Sequence, residues 1–105
     1  MMASAKLSYT AALILQTISA GYNYGFDIMD VAGLASGTVY PALRRLEKQG
    51  LIKSNWERGR AASAEQRPPR RYYGLTPQGK DALAKVLPRY RLLEQLSNSE
   101  SSRPS

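Results

Sequence analysis

Residues 36–50, Ser-Gly-Thr-Val-Tyr-Pro-Ala-Leu-Arg-Arg-Leu-Glu-Lys-Gln-Gly, constrain this chain more than any other stretch. Placed at about 100° per residue, they form a helix with two unlike faces. Val39, Leu43 and Leu46 share one narrow stripe, the spacing of a buried face. Pro41, Arg44, Arg45 and Lys48 fall on the opposite side, with Glu47 on the flank beside Tyr40. Ser36, Gly37 and Thr38 open the helix with small, polar residues that can cap its orphan amides. Pro41 has no amide hydrogen and belongs in a first turn, so either Thr38 is the cap or a distorted first turn starts at Ser36. Gly50 ends the helix.

An amphipathic helix with a solvated basic face is the ordinary outcome of such a pattern. The N-terminus supports a sharper one. Small residues there let a helix end approach another backbone, and a helix dipole flanked by Arg and Lys suits phosphate. In a major groove, the N-terminal part of such a helix reads base edges, and Arg can pair bidentately with guanine.

Composition points the same way. A chain of 105 residues makes one small domain with a modest core, which dimerisation would reinforce. A net charge of +7 and a pI near 10.0 favour a polyanionic partner, nucleic acid first and an anionic membrane surface second. The chain has neither cysteine nor histidine, which removes disulfides, thiolate chemistry, the usual zinc ligands and the usual general base near neutral pH. The eight acids are scattered, with no pair placed for acid–base work. No enzyme, metal or cofactor is expected. The apolar run at 11–18 is too short to span a bilayer. It has the length of a signal-peptide core, but little charge precedes it, and cleavage would remove a helix that the next segments need.

In chain order, Ser8 caps a first helix to about residue 19, with Leu7, Ala11, Ile14, Leu15 and Ile18 on one stripe. Tyr9 and Leu13 form a second stripe beside it. Either this wide face partly meets another chain or the helix is deeply buried. A turn at 21–23 leads to a second helix over 24–32, capped by Asn23 and stopped by Gly33, with Tyr24, Ile28, Val31 and Ala32 inward. Gly25 costs helix propensity there, which close packing against a neighbouring helix would explain. Two short helices joined by a tight turn, the second basic outside, read as a helix-turn-helix. Residues 51–57 alternate as a strand, with Trp56 expected in the core rather than stacking a ligand. Residues 58–69 form an arginine-bearing loop, and 70–75 a second strand with Tyr73 and Leu75 on the core side. This hairpin carries Arg67, Arg70 and Arg71 toward its far end, placed to clamp phosphates or enter a minor groove. Thr76-Pro77 starts the last helix. Its Leu83, Val86, Leu87, Tyr90, Leu93 and Leu96 make a seam for another helix, with Pro88 bending or dividing it. The Ser-rich residues 97–105 read as a disordered tail.

The fold class is therefore mainly α with a small β-hairpin: a winged helix-turn-helix DNA-binding domain over 1–75 and a C-terminal dimerisation helix over 76–96. The chain resembles the short subfamily of PadR transcriptional regulators. The likeness lies in Tyr24-Gly25-Phe26-Asp27-Ile28, in Ser36 to Leu43 with its Gly-Thr-Val-Tyr-Pro run, in Arg45-Leu46-Glu47, in Gly50-Leu51-Ile52, and in Arg67-Pro68-Pro69-Arg70-Arg71-Tyr72-Tyr73 with Leu75-Thr76-Pro77-Gln78-Gly79. The resemblance implies a homodimeric repressor on an inverted repeat in double-stranded DNA. Its recognition-helix contacts would fall on Ser36, Thr38, Tyr40, Pro41, Arg44 and Lys48, and its wing contacts on Arg67, Arg70 and Arg71. Arg45, on the same basic face, joins the expected DNA-binding set. The dimer interface would use Tyr9, Leu13, Leu83, Val86, Leu87, Tyr90 and Leu93. Some members release DNA when a small aromatic or drug-like effector binds near that interface, and a cytoplasmic, nucleoid-associated protein is expected. The competing readings are an architectural DNA-binding protein without sequence preference and a winged-helix module for RNA or an acidic protein. Few exposed aromatics are expected for stacking RNA bases.

Overall fold

The computed structural model describes residues 7–57 and 69–101, with side chains described through Arg91. Its elements run α1 (Tyr9–Ser19), α2 (Gly25–Ala32), α3 (Ser36–Lys48), β1 (Ile52–Trp56), β2 (Arg71–Leu75) and α4 (Pro77–Ser101). Ser8 caps α1 as expected, its side chain accepting from the Ala11 amide at 3.0 Å. Gly33 ends α2 in the left-handed region (φ 70°), where a side chain would be strained. Gly50 turns the chain after α3 in the same way (φ 77°), and the Leu51 amide reaches back to the Leu46 carbonyl at 3.0 Å.

The core forms where the stripes of α1, α2 and α3 meet the hairpin. Ile14, Leu15, Ile28, Val39, Leu43, Leu46 and Ile52 are fully buried, closed by Tyr73 and Leu83. Each such aliphatic side chain contributes about 1.5–3 kcal/mol by leaving water. Thr17 is buried without penalty because its hydroxyl donates to the Leu13 carbonyl at 2.7 Å.

β1 and β2 pair antiparallel, with Ser54 opposite Tyr73 and Trp56 opposite Arg71. The turn after α1 joins them: Tyr24 bridges Tyr72, the Tyr73 amide donates to the Asn23 carbonyl at 2.7 Å, and Asn23 Nδ2 donates to the Tyr73 carbonyl at 2.9 Å. Asn23 is thus a hairpin residue and not the α2 cap. Tyr24 occupies the cap position, with no side-chain hydrogen bond. The second expectation for α2 also changes. Ile28 is buried, but Val31 is 49 % exposed, because α2 is covered on one narrow side only.

α4 starts at Thr76-Pro77 as the sequence requires. The Thr76 hydroxyl accepts from the Gly79 amide at 3.0 Å and donates to the Gly50 carbonyl at 2.6 Å, tying the helix start to the end of α3. Pro88 does not divide α4, which continues as one helix to Ser101. The expected tail at 97 is corrected accordingly: 97–101 contains neither Gly nor Pro, so nothing forces the helix to stop there. Residues 102–105 lie outside the described residues. α4 packs on α1 through Tyr9 and Tyr90, whose rings meet edge-on at 5.2 Å, and through the Tyr90 hydroxyl, which donates to the Leu7 carbonyl at 2.7 Å.

Candidate nucleic-acid interface

α3 begins at Ser36 with Ala35 as its cap, the distorted-first-turn alternative. Both the Thr38 and Val39 amides donate to the Ala35 carbonyl, at 2.9 and 3.0 Å, which tightens the turn ahead of Pro41. The Ser36 and Thr38 hydroxyls make no cap bond, and Ser36, Gly37 and Thr38 are exposed. The helix thus presents its positive dipole end behind a small, hydroxyl-bearing surface.

Arg44, Arg45 and Lys48 are all exposed, and the two arginines border different grooves. Tyr40 and Arg44 face a groove shared with α2 and the hairpin. Thr38, Pro41 and Arg45 line a separate groove against the start of α1 and Ala82 of α4. Lys48 and Arg45 occupy the last turn of α3, where their charge also complements the negative end of the dipole.

The hairpin is braced to α3 by Glu47. Its carboxylate accepts from the Ser54 hydroxyl at 2.7 Å and from Arg71 Nη2 at 3.2 Å, while Arg71 Nε donates to Ser54 Oγ at 2.9 Å. Arg71 is therefore held beside α3 as well as exposed. Arg70 lies over the Tyr24 ring at 4.2 Å, and its backbone pairs with Glu57, whose carboxylate also accepts from the Tyr72 hydroxyl at 3.1 Å. Burial raises the Tyr73 phenol above its ordinary pKa against the opposing pull of Arg71, so it stays neutral. Arg67 lies outside the described residues.

Trp56 is a correction. It is 65 % exposed: it shares the Ile52 side of β1 but is the last residue of the strand, beyond the core that Ile52 and Tyr73 enter. Phe26 is 70 % exposed and Tyr40 is also open to solvent, so the expectation of few exposed aromatics fails on this face. Phe26 was legible: it lies off the Tyr24–Ile28 stripe and had no buried role to fill.

Of the expected dimer residues, Leu83 is buried in the chain's own core and leaves little surface for a second chain. Val86 and Leu87 are half-buried against that core. Tyr9 is 60 % exposed, and it lines a cleft with Leu13, Leu87 and Tyr90. The side chain of Leu93 is outside the described set. Among the described residues no acidic or histidine cluster could hold a metal, and no helix is long and apolar enough to cross a membrane.

A three-helix core with a basic third helix, flanked by a two-stranded wing, is the geometry of winged-helix DNA-binding proteins. The model of the transcriptional regulator PadR-like family matches residues 14–85. The chain belongs to that family. Among solved structures, a PadR family transcription regulator from Clostridium difficile R20291 is 29 % identical, with 90 % of this chain and 100 % of that chain covered and a TM-score of 0.72. A transcriptional regulator from Clostridium thermocellum is 26 % identical, covering 87 % of this chain and 88 % of that one, with a TM-score of 0.65. The PcaV regulator of Streptomyces coelicolor, solved with its natural ligand, shares the fold at a TM-score of 0.75 but only 18 % identity, over 94 % of this chain and 66 % of that one. No match was found among curated protein sequences. The PadR-like chain is thus a member of a family of transcriptional regulators, not of enzymes, with a winged-helix DNA-binding fold.

Proposed function

We propose that the protein is a homodimeric repressor that reads an inverted-repeat operator. The observation that carries this reading is α3: its apolar stripe is buried, its unspent Ser36 and Thr38 hydroxyls lie at the positive end, and Arg44, Arg45 and Lys48 are exposed. In the proposed complex the N-terminal half of α3 enters the major groove. Arg44 reads a base edge, Lys48 meets a phosphate, and Arg70 and Arg71 hold the wing to the flanking backbone. Arg45 points toward the α1 side and suits a phosphate on the opposite flank. Residues 1–75 are the DNA-binding part, and α4 with the Tyr9–Leu13 face of α1 supplies the dimer contact. A cytoplasmic location follows from this role. A small effector, if one acts at the dimer contact, would enter the cleft formed by Tyr9, Leu13, Leu87 and Tyr90.

Arg44→Ala tests the assignment by titration against duplexes substituted at each base pair. A loss of about 1–3 kcal/mol confined to one base position is expected. An unchanged binding profile would show that the recognition face is misassigned. One specific observation favours a second reading: exposed Phe26 and Trp56 beside arginines could stack unpaired RNA bases. A competition between duplex DNA and structured RNA at fixed salt separates the two.

A further inference from the structure

The duplex reading accounts for the arginines on the wing side of α3 and leaves their aromatic neighbours without a task. Paired bases are stacked on each other, so an aromatic side chain facing a duplex has no ring face to meet. Yet Phe26 and Trp56, exposed by 70 % and 65 %, both line the groove between α2, α3 and the hairpin. Tyr24, Tyr40 and Tyr73 line it too. Its volume is about 920 Å³, within the range of small-molecule sites.

The same groove is cationic. Arg44 reaches it from α3 and has no ion-pair partner among the described residues. Arg70 lies over Tyr24 at 4.2 Å, and Arg71 lies 5.7 Å from Trp56 and 5.9 Å from Tyr73. Two of the three guanidiniums are thus already restrained against rings, which lowers the ordering cost of adding a ligand. The one carboxylate in the described lining, Asp27, sits in the first turn of α2, where that helix's own dipole holds it. Rings that offer stacking faces and an unpaired guanidinium in one concave surface select a ligand that is flat and negatively charged.

We infer that this groove binds a planar aromatic anion. Because its walls include Tyr40, Arg44, Arg70 and Arg71, an occupant also excludes duplex DNA directly, without any change at the dimer contact. The exclusion rests on the proposed DNA reading, and the binding itself does not.

Trp56 is the only tryptophan of the chain, so its indole N–H gives one assignable signal within the groove. We would titrate the full chain with 2-naphthoate, with the uncharged 2-naphthamide and with adenosine 5′-monophosphate, following that signal by ¹H–¹⁵N spectroscopy. Saturable movement is expected with at least one anion. Response to 2-naphthoate alone assigns the site to aryl acids, and response to the nucleotide assigns it to nucleotides. Arg44→Gln should weaken the responding anion ~10-fold, the worth of one charge-assisted contact. Phe26→Ala should also weaken it. Lys85→Gln, which removes the same charge from the exposed face of α4, should not. Both lost side chains in the groove are exposed, and the dispersion of the remaining signals shows that each variant is folded. No saturable shift with either anion overturns the inference, as does equal binding of 2-naphthamide or an equal effect of Lys85→Gln. In a second arm the responding anion should displace labelled duplex from the wild-type chain. Joint binding of both overturns the exclusion, whereas a chain that binds the anion and no duplex contradicts the DNA reading alone.

Discussion

Gly25 and Gly79 both lie where a helix meets another part of the chain, and a methyl group would be received differently at each. At Gly25 an added Cβ would lie 2.5 Å from the Tyr40 hydroxyl, the far end of a partly exposed side chain that can swing aside. Gly25→Ala should therefore change stability by less than about 1 kcal/mol, since helix propensity rises as packing worsens. DNA affinity should fall, because Tyr40 is displaced across the face of α3; denaturant titration and duplex binding on the same variant check both. At Gly79 the Cβ would collide with the Leu51 carbonyl oxygen, which is backbone and cannot rotate away. Gly79→Ala should cost about 1–3 kcal/mol in a urea melt. The close approach at Gly25 was readable in the sequence as an early-helix glycine with no capping task. That Tyr40 is its neighbour was not, because the contact crosses between two helices. Trp56 misled for a similar reason: alternation gives it the same side of the strand as buried Ile52 but does not say how far along the strand the core extends.

At the scale of elements, polar side chains add to the apolar packing of Ile52 and Tyr73 in holding the wing against α3. Glu47 bridges α3 to Ser54 and Arg71 across the hairpin, with the Arg71 and Glu47 side chains 42 % and 33 % exposed. Such a pair contributes only about 0.2–1 kcal/mol in solution. Glu47→Gln should therefore barely alter stability, yet it frees the wing to sample other angles and should weaken duplex binding. A calorimetric melt and a binding isotherm on one variant separate the effects; equal losses in both would show that Glu47 acts only on the fold. Thr76 caps α4 by accepting from the Gly79 amide and joins it to the end of α3 by one hydrogen bond to the Gly50 carbonyl. Thr76→Val should cost about 1 kcal/mol or more, the worth of a helix cap with a second bond added. Helix and strand limits were legible within a residue or two, because caps and period changes are local. The role of Asn23 was hidden, since its partner Tyr73 is fifty residues away in the chain. The end of α4 was misplaced because a Ser-rich composition weakens a helix without stopping it.

For the whole molecule, the basic charge, the two-faced α3 and the hairpin together made the winged helix legible, and the family match over residues 14–85 agrees. In the proposed dimer the outer face of α1 and α4 meets a second chain, and one sequence carries that apolar seam without its partner. Leu83 illustrates the limit: it fits the seam, yet it is spent on the chain's own core. The proposed dimer predicts that removing residues 92–105 shifts sedimentation from dimer toward monomer while the winged domain stays folded. An unchanged sedimentation coefficient ratio would place the dimer contact elsewhere.

In the proposed dimer, α3 reads sequence as one half of a symmetric pair. Selection from a random duplex pool at about 150 mM salt, where loose charge contacts are screened, tests it most directly. An enriched inverted repeat whose half-sites lie about one helical turn apart is expected. Retention of duplexes with no enriched motif would contradict it and leave a basic protein that binds DNA by charge alone.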